Sequence, residues 1–478
     1  MTKTHAIRQT VPVGWVLGIT AAASLVVSLD QLVVATALQT IRMGLHASMS
    51  SLEWTVNAFS LSLATLLIPA SQIGDRIGRK RTLILGLSLF AIASAACAIS
   101  PNIGALIAAR VVQGAGGALI LPTALALLTG AVSPQRRGVI MGTFAAIMGL
   151  AVVCGPLVGG AVAQGLTWHW VFWINVPVIA VVIPLALIKL TETKSDPQRT
   201  DLLGILLVGA SVFGIVWALV RSGSVGWGSG EVIGTLACAT VLLAAFIGWE
   251  LRVREPMLSV RMFTIPAFAA GNLSALLLTA SLFSTVFFFA QYLQVALGFT
   301  PLRAGLGFLP WAIPVLVVSP IAGKLQFRLG PRLLVSVGLT IQCAALIWLA
   351  MVASTHGDYR SDIPALVLSG VGVAMAMPTQ QNAVMSSVPA SEVGKAAGTF
   401  STIRQLGGAL GIAITAAVFA LHGSDRSAGS FDTGFAAAAI AAALIAILGA
   451  ISGLFVPGGV RQAAGLSIPP AATASGVE

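Results

Sequence analysis

Fourteen apolar runs of roughly twenty residues, divided by short polar connections, leave this chain little choice of fold, because a helix of that length matches the hydrocarbon thickness of a bilayer. They lie near 14–38, 53–73, 82–99, 104–128, 139–163, 170–190, 202–221, 231–250, 267–291, 303–322, 333–352, 363–384, 400–420 and 434–456. The chain is 57% hydrophobic and 9% charged, where a soluble domain carries about 25% charge, so no soluble core accounts for it. Its net charge of +11 is spread over short connections rather than gathered on one face, which argues for membrane topology and against nucleic acid as a partner. Cys97, Cys154, Cys238 and Cys343 stand singly in apolar runs, with neither metal-ligand nor disulfide spacing. Lys3 and Arg8 precede a first run too long for a signal peptide, so that run is expected to be an uncleaved helix.

Alternate connections differ in charge. Twenty Lys and Arg, Arg404 among them, fall on the side of the N-terminus and five on the other, leaving out Arg110 inside the fourth run. The positive-inside rule then predicts that both termini are cytoplasmic, as an even number of spans requires. An internal repeat sets the organisation. Gly114, Gly116, Pro122, Thr123, Gly138, Gly142, Thr143 and Phe144 recur 256 residues later as Gly370, Gly372, Pro378, Thr379, Gly394, Gly398, Thr399 and Phe400. Runs 1–6 therefore pair with runs 9–14, and the expected class is an all-α integral membrane protein with 14 transmembrane helices arranged as 6 + 2 + 6. The domains are residues 1–195, an inserted helix pair at 196–258, a second six-helix half at 259–460, and a cytoplasmic tail at 461–478. Two parallel halves around a central cavity make a transporter architecture.

Asp30 is the only charged residue between Trp15 and Ile41. Ionisable groups inside a span are costly, and those retained line cavities or carry protons. The bland alternative is a neutral Asp hydrogen-bonded into a helix contact. Arg110 repeats the problem in run 4, with Gln113 on the same helix face at i,i+3, so both are expected to address the same cavity; the alternative is an Arg that snorkels to the interface. Neither charge is repeated in the second half, where Leu366 replaces Arg110 and Leu282 or Val286 replaces Asp30. Between runs 2 and 3, Gly74, Asp75, Arg76, Gly78, Arg79 and Lys80 form a tight loop of one acid followed by bases. A plain positive loop does not explain the acid and the glycine, and a gate-stabilising role for Asp75 is expected. In run 5, Gly155, Pro156, Gly159 and Gly160 combine a GxxxG face with a kink.

These segments together resemble the fourteen-span drug:proton antiporters of the major facilitator superfamily. Ser71 to Lys80 is similar to the superfamily's loop motif, Leu106 to Ala118 to its run-4 arginine motif, and Gly155 to Gly160 to its antiporter motif. Asp30 falls where that group has its first-span acid, and Arg404-Gln405-Leu406-Gly407-Gly408-Ala409-Leu410-Gly411 matches a further segment. The resemblance implies the major facilitator fold in the cytoplasmic membrane and export of amphipathic compounds in exchange for protons, that is, multidrug efflux and antibiotic resistance. Leu32 and Ala35 depart from the Thr and Asn often found near the acid, and His169 stands where Arg is common.

Exchange needs a group that cannot hold proton and substrate together. Burial favours the protonated form of a carboxyl and a neighbouring cation the ionised form, so Asp30 with Arg110 is the expected coupling pair. The other fourteen acids fall in loops or near span ends, with Glu53 the weak second candidate. One deep carboxylate suits monocationic or neutral lipophilic substrates better than dications. Gln113, Phe287, Gln291, Tyr292, Gln294, Gln380, Gln381 and Asn382 are expected to line the cavity, and of Phe287, Phe288 and Phe289 some should meet lipid, since three consecutive residues cannot share one helix face. No catalytic cluster, metal-ligand set or ATP-cradling loop is visible, so no cofactor or metal is expected and the proton gradient must supply the energy. A dedicated exporter of one natural product or envelope lipid remains the alternative.

Overall fold

The computed structural model describes residues 12–132, 137–193, 201–253, 260–355, 357–389, 393–424 and 427–457. All regular structure among them is helical. In order the helices are α1 (Val13–Leu45), α2 (Met49–Ile77), α3 (Arg79–Ala98), α4 (Ile103–Ala131), α5 (Arg137–Gly165), α6 (Trp170–Trp173), α7 (Asn175–Lys189), α8 (Leu202–Val225), α9 (Gly230–Glu250), α10 (Pro266–Val295), α11 (Pro301–Leu306), α12 (Leu309–Leu329), α13 (Pro331–Ser354), α14 (Tyr359–Ser386), α15 (Val393–His422) and α16 (Ala428–Gly453), with a 3-10 turn at Val260–Thr264. Counting α6 with α7 and α11 with α12, twelve segments are long and apolar enough to cross a membrane. The helices α2 and α5 each run 29 residues, long enough to do the same. Polar side chains close the starts: Ser48, Asn102, Asp201, Ser229, Thr300 and Ser427 each accept from a backbone N–H of the first turn.

Several helices start well before their apolar run. Backbone hydrogen bonding continues through polar residues that hydropathy excludes, so α15 begins at Val393 rather than near 400. Arg404, placed by its sequence at a loop edge, is thereby eleven residues into a helix.

Short turns make successive helices run back and forth. The end that holds the start of α1 is called the near end, and the end with the α1–α2 turn the far end. Packing partners recur across the repeat: α1 with α5, α2 with α4 and α3 with α4 in the first set; α10 with α15, α12 with α14 and α13 with α14 in the second. The helix α8 lies in the seam between α2 and α15, where Leu61, Val208, Val212, Val216, Ala409 and Ala413 form one buried cluster. Behind it, α9 packs on α8 and is otherwise largely exposed.

The two sets meet unevenly. At the far end one hydrophobic cluster holds Val33, Leu38 and Ile41 of α1 together with Phe287, Phe289 and Leu293 of α10 and Phe308 and Trp311. Toward the near end the clusters stay within one set: Val16, Phe59, Leu87 and Ile179 in the first, Phe268, Val384 and Phe400 in the second. All three adjacent phenylalanines are buried, at 1%, 2% and 0% exposure, which corrects the expectation that some meet lipid. Neighbouring helices cover every side of α10 here: Phe288 stacks on Phe419 of α15, and Phe289 meets Phe308 edge-on and lies beside Phe435 of α16.

Candidate functional site

Asp30 sits at the middle of α1, about 25 Å of helix from either end. Its side chain turns into the first helix set. Arg110 of α4 pairs with Oδ2 through Nη1, while Oδ1 accepts from Gln113 Nε2 at 2.9 Å and from Asn175 Nδ2 of α7 at 2.8 Å. Both charged side chains are 1% exposed. Ser94 Oγ of α3 closes the ring, accepting from Gln113 Nε2 at 2.9 Å and more loosely from Asn175 Nδ2 at 3.4 Å.

The guanidinium is held as firmly as the carboxylate. Arg110 also donates through Nη1 to Gln113 Oε1 at 2.7 Å and through Nε to the Thr55 carbonyl of α2 at 3.1 Å, and its Cζ lies 4.2 Å from the Phe59 ring centroid. Snorkelling is excluded. The fit of five helices around one ion pair also changes the picture of the cavity: Asp30, Arg110 and Gln113 face the interior of one set rather than the space between sets. A buried pair in low dielectric persists only when its remaining donors and acceptors are satisfied, and here nearly all are. Ser94, Asn175, Thr55 and Phe59 are the partners that sequence reasoning missed. Each is a short or neutral side chain in an apolar run, and only contact geometry distinguishes it from packing.

The glycine cluster has a visible purpose. A Cβ at Gly155 would meet Leu32, and one at Gly159 would strike Thr36 and the Val33 carbonyl, so α5 lies directly on α1 one turn above Asp30. Gly160 faces the other way, where a Cβ would collide with the Pro301 carbonyl; reciprocally, one at Gly305 would collide with the carbonyl of Pro156. Close approach of small residues thus joins the sets at the far end. Hydrogen bonds reinforce it: Gln39 Nε2 donates to Gln291 Oε1 at 3.1 Å, Gln294 Nε2 to the Thr36 carbonyl at 3.0 Å, and the Leu302 amide to Gln164 Oε1 at 3.1 Å. Gln291 and Gln294 therefore serve in this seal. Phe287 and Tyr292 pack beneath it, each 1% exposed, with Tyr292 stacked 4.5 Å from Phe435. Gln380 is buried on α14 with its amide nitrogen unpartnered, while Gln381 and Asn382 are exposed near that helix's near end.

At the α2–α3 loop, Gly78 adopts φ 110°, open to glycine at little cost, and ends one helix while starting the next. Among the described side chains, the acid that meets this loop is Glu192, just beyond α7. Its carboxylate accepts from the amides of Lys80 at 3.0 Å and Arg81 at 3.2 Å, at the positive end of α3. Arg79 is fixed by its amide to the Thr193 carbonyl, and Lys80 Nζ donates to the Leu187 carbonyl at 2.6 Å. Arg76 is exposed, and the Asp75 side chain lies outside the described residues. Nearness to a span end did not mean exposure for the other acids: Glu53, Asp362 and Asp432 are 6%, 0% and 7% exposed.

A bundle of two repeated helix sets, joined at one end by close glycine contacts and hydrogen bonds, with an ion pair buried mid-span, defines a membrane transporter. Residues 20–412 match the Major Facilitator Superfamily, and the chain belongs to that family. Over 405 residues it is 33% identical to the "Tetracenomycin C resistance and export protein" of Streptomyces glaucescens, covering 84% of this chain and 75% of that one. It is 32% identical to the "Multidrug resistance protein Stp" of Mycobacterium tuberculosis over 394 residues, 82% of this chain and 73% of the relative. Among solved structures, a D-xylose-proton symporter superposes with a TM-score of 0.66 at 14% identity, covering 93% of this chain and 98% of that one, which supports the fold alone.

Proposed function

We propose that the protein is a proton-coupled antiporter of fourteen spans, 6 + 2 + 6 with both termini cytoplasmic, that exports amphipathic lipophilic compounds across the cytoplasmic membrane. Relatives named for multidrug resistance and for tetracenomycin C export support the cargo class. The observation that carries the coupling is the buried Asp30–Arg110 pair. With the near end in the cytoplasm, the far-end contacts close the outward side.

In this reading a proton on Oδ2 of Asp30 removes the charge that holds Arg110. The helix α1 then loses its strongest tie to α4. The same helix carries Thr36 and Gln39, which hold the far seal against Gln294 and Gln291, so protonation at mid-span biases the seal about two turns away. Substrate enters from the near end and the proton from the far end, and only one of the two conformations favours each. No covalent chemistry is needed, and the gradient drives the cycle.

The test is a drug-susceptibility panel in a pump-deficient host together with proton-driven efflux from vesicles, comparing the intact protein with Asp30→Asn. The variant should insert and lose coupled export. Full transport by Asp30→Asn would refute the assignment. A dedicated exporter of a single compound is the second reading, favoured by the single-compound name of the first relative; a panel in which one compound alone is exported would select it.

A further inference from the structure

A second arginine lies deep in the protein, and the mechanism above does not use it. Arg404 stands eleven residues into α15, within about 5 Å of the midpoint of that 30-residue helix. Its Nε is buried without a hydrogen-bond partner, and among the described residues no carboxylate pairs with it. The Phe400 ring centroid lies 5.7 Å from its Cζ, a cation–π contact. A guanidinium cannot shed its proton. At mid-span an uncompensated one is costly, and such charges are retained where an opposite charge arrives.

The surroundings show from where it arrives. From Ala396 to Phe419 the helix α15 has no fully exposed residue, and Arg404 is among its half-buried ones. Gly407 and Gly411 of the same face press on α10 at Leu276 and Ala280, and Gly408 on Phe283. Next along the helix, Gln405 accepts from Gln31 of α1 at 3.3 Å, which brings this part of α15 to the junction of the two sets at the level of Asp30. Leu406 and Leu410 beside it pack on the seam cluster shared with α2 and α8, while toward the near end the clusters of the two sets are separate.

From this geometry we infer that Arg404 is the subsite for an anionic group, a carboxylate, phenolate or phosphate, on the amphipathic molecule that occupies the space between the sets. The inference builds on the export reading and gives its substrate class: lipophilic bodies bearing one acidic group, in place of the monocationic or neutral ones expected from Asp30, which lies enclosed in the first set. The guanidinium supplies two-pronged donors to that group, while Phe400, buried in the second set, backs the arginine itself. Asp30 does not compete, being enclosed in the first set behind Arg110, Gln113 and Asn175. Proton and anion therefore occupy different halves.

The same chemistry is offered by exported cargo and by an anionic lipid headgroup, and the experiment separates them. Purified full-length protein in neutral detergent is titrated with 9-anthracenecarboxylate and with its uncharged carboxamide, following anthracene fluorescence, for wild type, Arg404→Lys and Arg404→Met. Wild type should prefer the carboxylate by roughly tenfold or more, the usual worth of a hydrogen bond to a charged group. Arg404→Lys should keep a reduced preference, and Arg404→Met should bind both probes alike while eluting and melting as wild type does. Retention of the preference in Arg404→Met, or its absence in wild type, overturns the inference; if Arg404→Met does not fold, the same comparison is made between wild type and Arg404→Lys, where an undiminished preference overturns it. Repeating the titration in nanodiscs of phosphatidylcholine, with and without phosphatidylglycerol, assigns the source: competition by phosphatidylglycerol in wild type alone makes the occupant lipid, and no competition makes it cargo. Asp30→Asn should leave the carboxylate preference intact, so failure of the coupling assignment and failure of this one are distinguishable.

Discussion

Replacing Asp30 and Arg110 singly and together separates what the pair does for the fold from what it does for transport. In Asp30→Asn the guanidinium keeps the Thr55 carbonyl at 3.1 Å, Gln113 Oε1 at 2.7 Å and the Phe59 ring, but no anion, and it cannot discharge itself. Removing one partner of a buried pair costs about 3–5 kcal/mol, and this variant should lie in that range. In Arg110→Met the carboxyl keeps its two amide donors at 2.9 and 2.8 Å and is free to take up a proton, so its loss should be the smaller of the two. The double variant removes both charges. It still strands the Thr55 carbonyl, yet it should be more stable than the sum of the single losses by about 2 kcal/mol, within the range seen for residues in contact. Unfolding in mixed dodecyl maltoside–SDS micelles gives the stabilities, and proton-driven efflux from vesicles the function. Stability should be partly restored in the double variant while coupled transport is absent from all three. Additive losses would show that the ion pair carries no interaction energy, and transport by the double variant would show that the proton is carried elsewhere.

Three further outcomes follow from the same contacts. Gly160→Val or Gly305→Val places a side chain against a backbone carbonyl of the opposite set and should hold the far end open, lowering transport by at least about tenfold, as a lost 1.4 kcal/mol of closure would; a cysteine at Gln291, in a background without the four native cysteines, should then react with an impermeant thiol reagent from outside. Gln39→Leu with Gln291→Leu removes the buried amide pair but replaces it with apolar packing, so stability should change by under about 1 kcal/mol in mixed-micelle unfolding, whereas loss of either glutamine alone should cost more. Glu192→Gln removes the charge at the start of α3 and should cost about 0.3–1 kcal/mol, read as a small fall in melting temperature that shrinks further in high salt.

The membrane class and the helix positions were legible because they rest on length and apolarity, which a chain displays residue by residue. Asp30, Arg110 and Gln113 were legible because charge inside an apolar run is anomalous wherever the helix turns. Their orientation was not, since the sequence does not say which face of α1 meets α4 and α7; that depends on how α5 lays Gly155 and Gly159 against Leu32 and Val33. Gln291 and Gln294 were found as polar residues at the right depth, and only contact with α1 distinguishes sealing from lining. Arg404 was hidden by a boundary: its helix begins seven residues before the apolar run, so a deep charge passed for an edge one. Glu192 was hidden because its role lies 111 residues away from the amide of Arg81 that it caps.

The contact between Gln31 and Gln405 joins these sites. Successive residues of a helix point about 100° apart, so Gln31 faces the second set because Asp30 faces the first, and Gln405 reaches α1 while Arg404 keeps its own direction on α15. Each glutamine is thus the neighbour of a buried charge, and the 3.3 Å bond between them is where rotation of one helix is felt by the other. If release of Arg110 from Asp30 turns α1, this bond carries the turn to the helix that holds Arg404. Gln31→Leu should therefore leave the fold, the Asp30–Arg110 pair and the carboxylate preference of Arg404 in place, yet permit proton movement without cargo. Vesicles loaded with a pH-sensitive dye and no substrate should show a proton leak through Gln31→Leu that wild type lacks, together with a lower ratio of cargo to protons when substrate is added. A variant as tightly coupled as wild type would mean that the two halves communicate only through the far seal, with α1 moving as a rigid rod between Thr36 and Asp30.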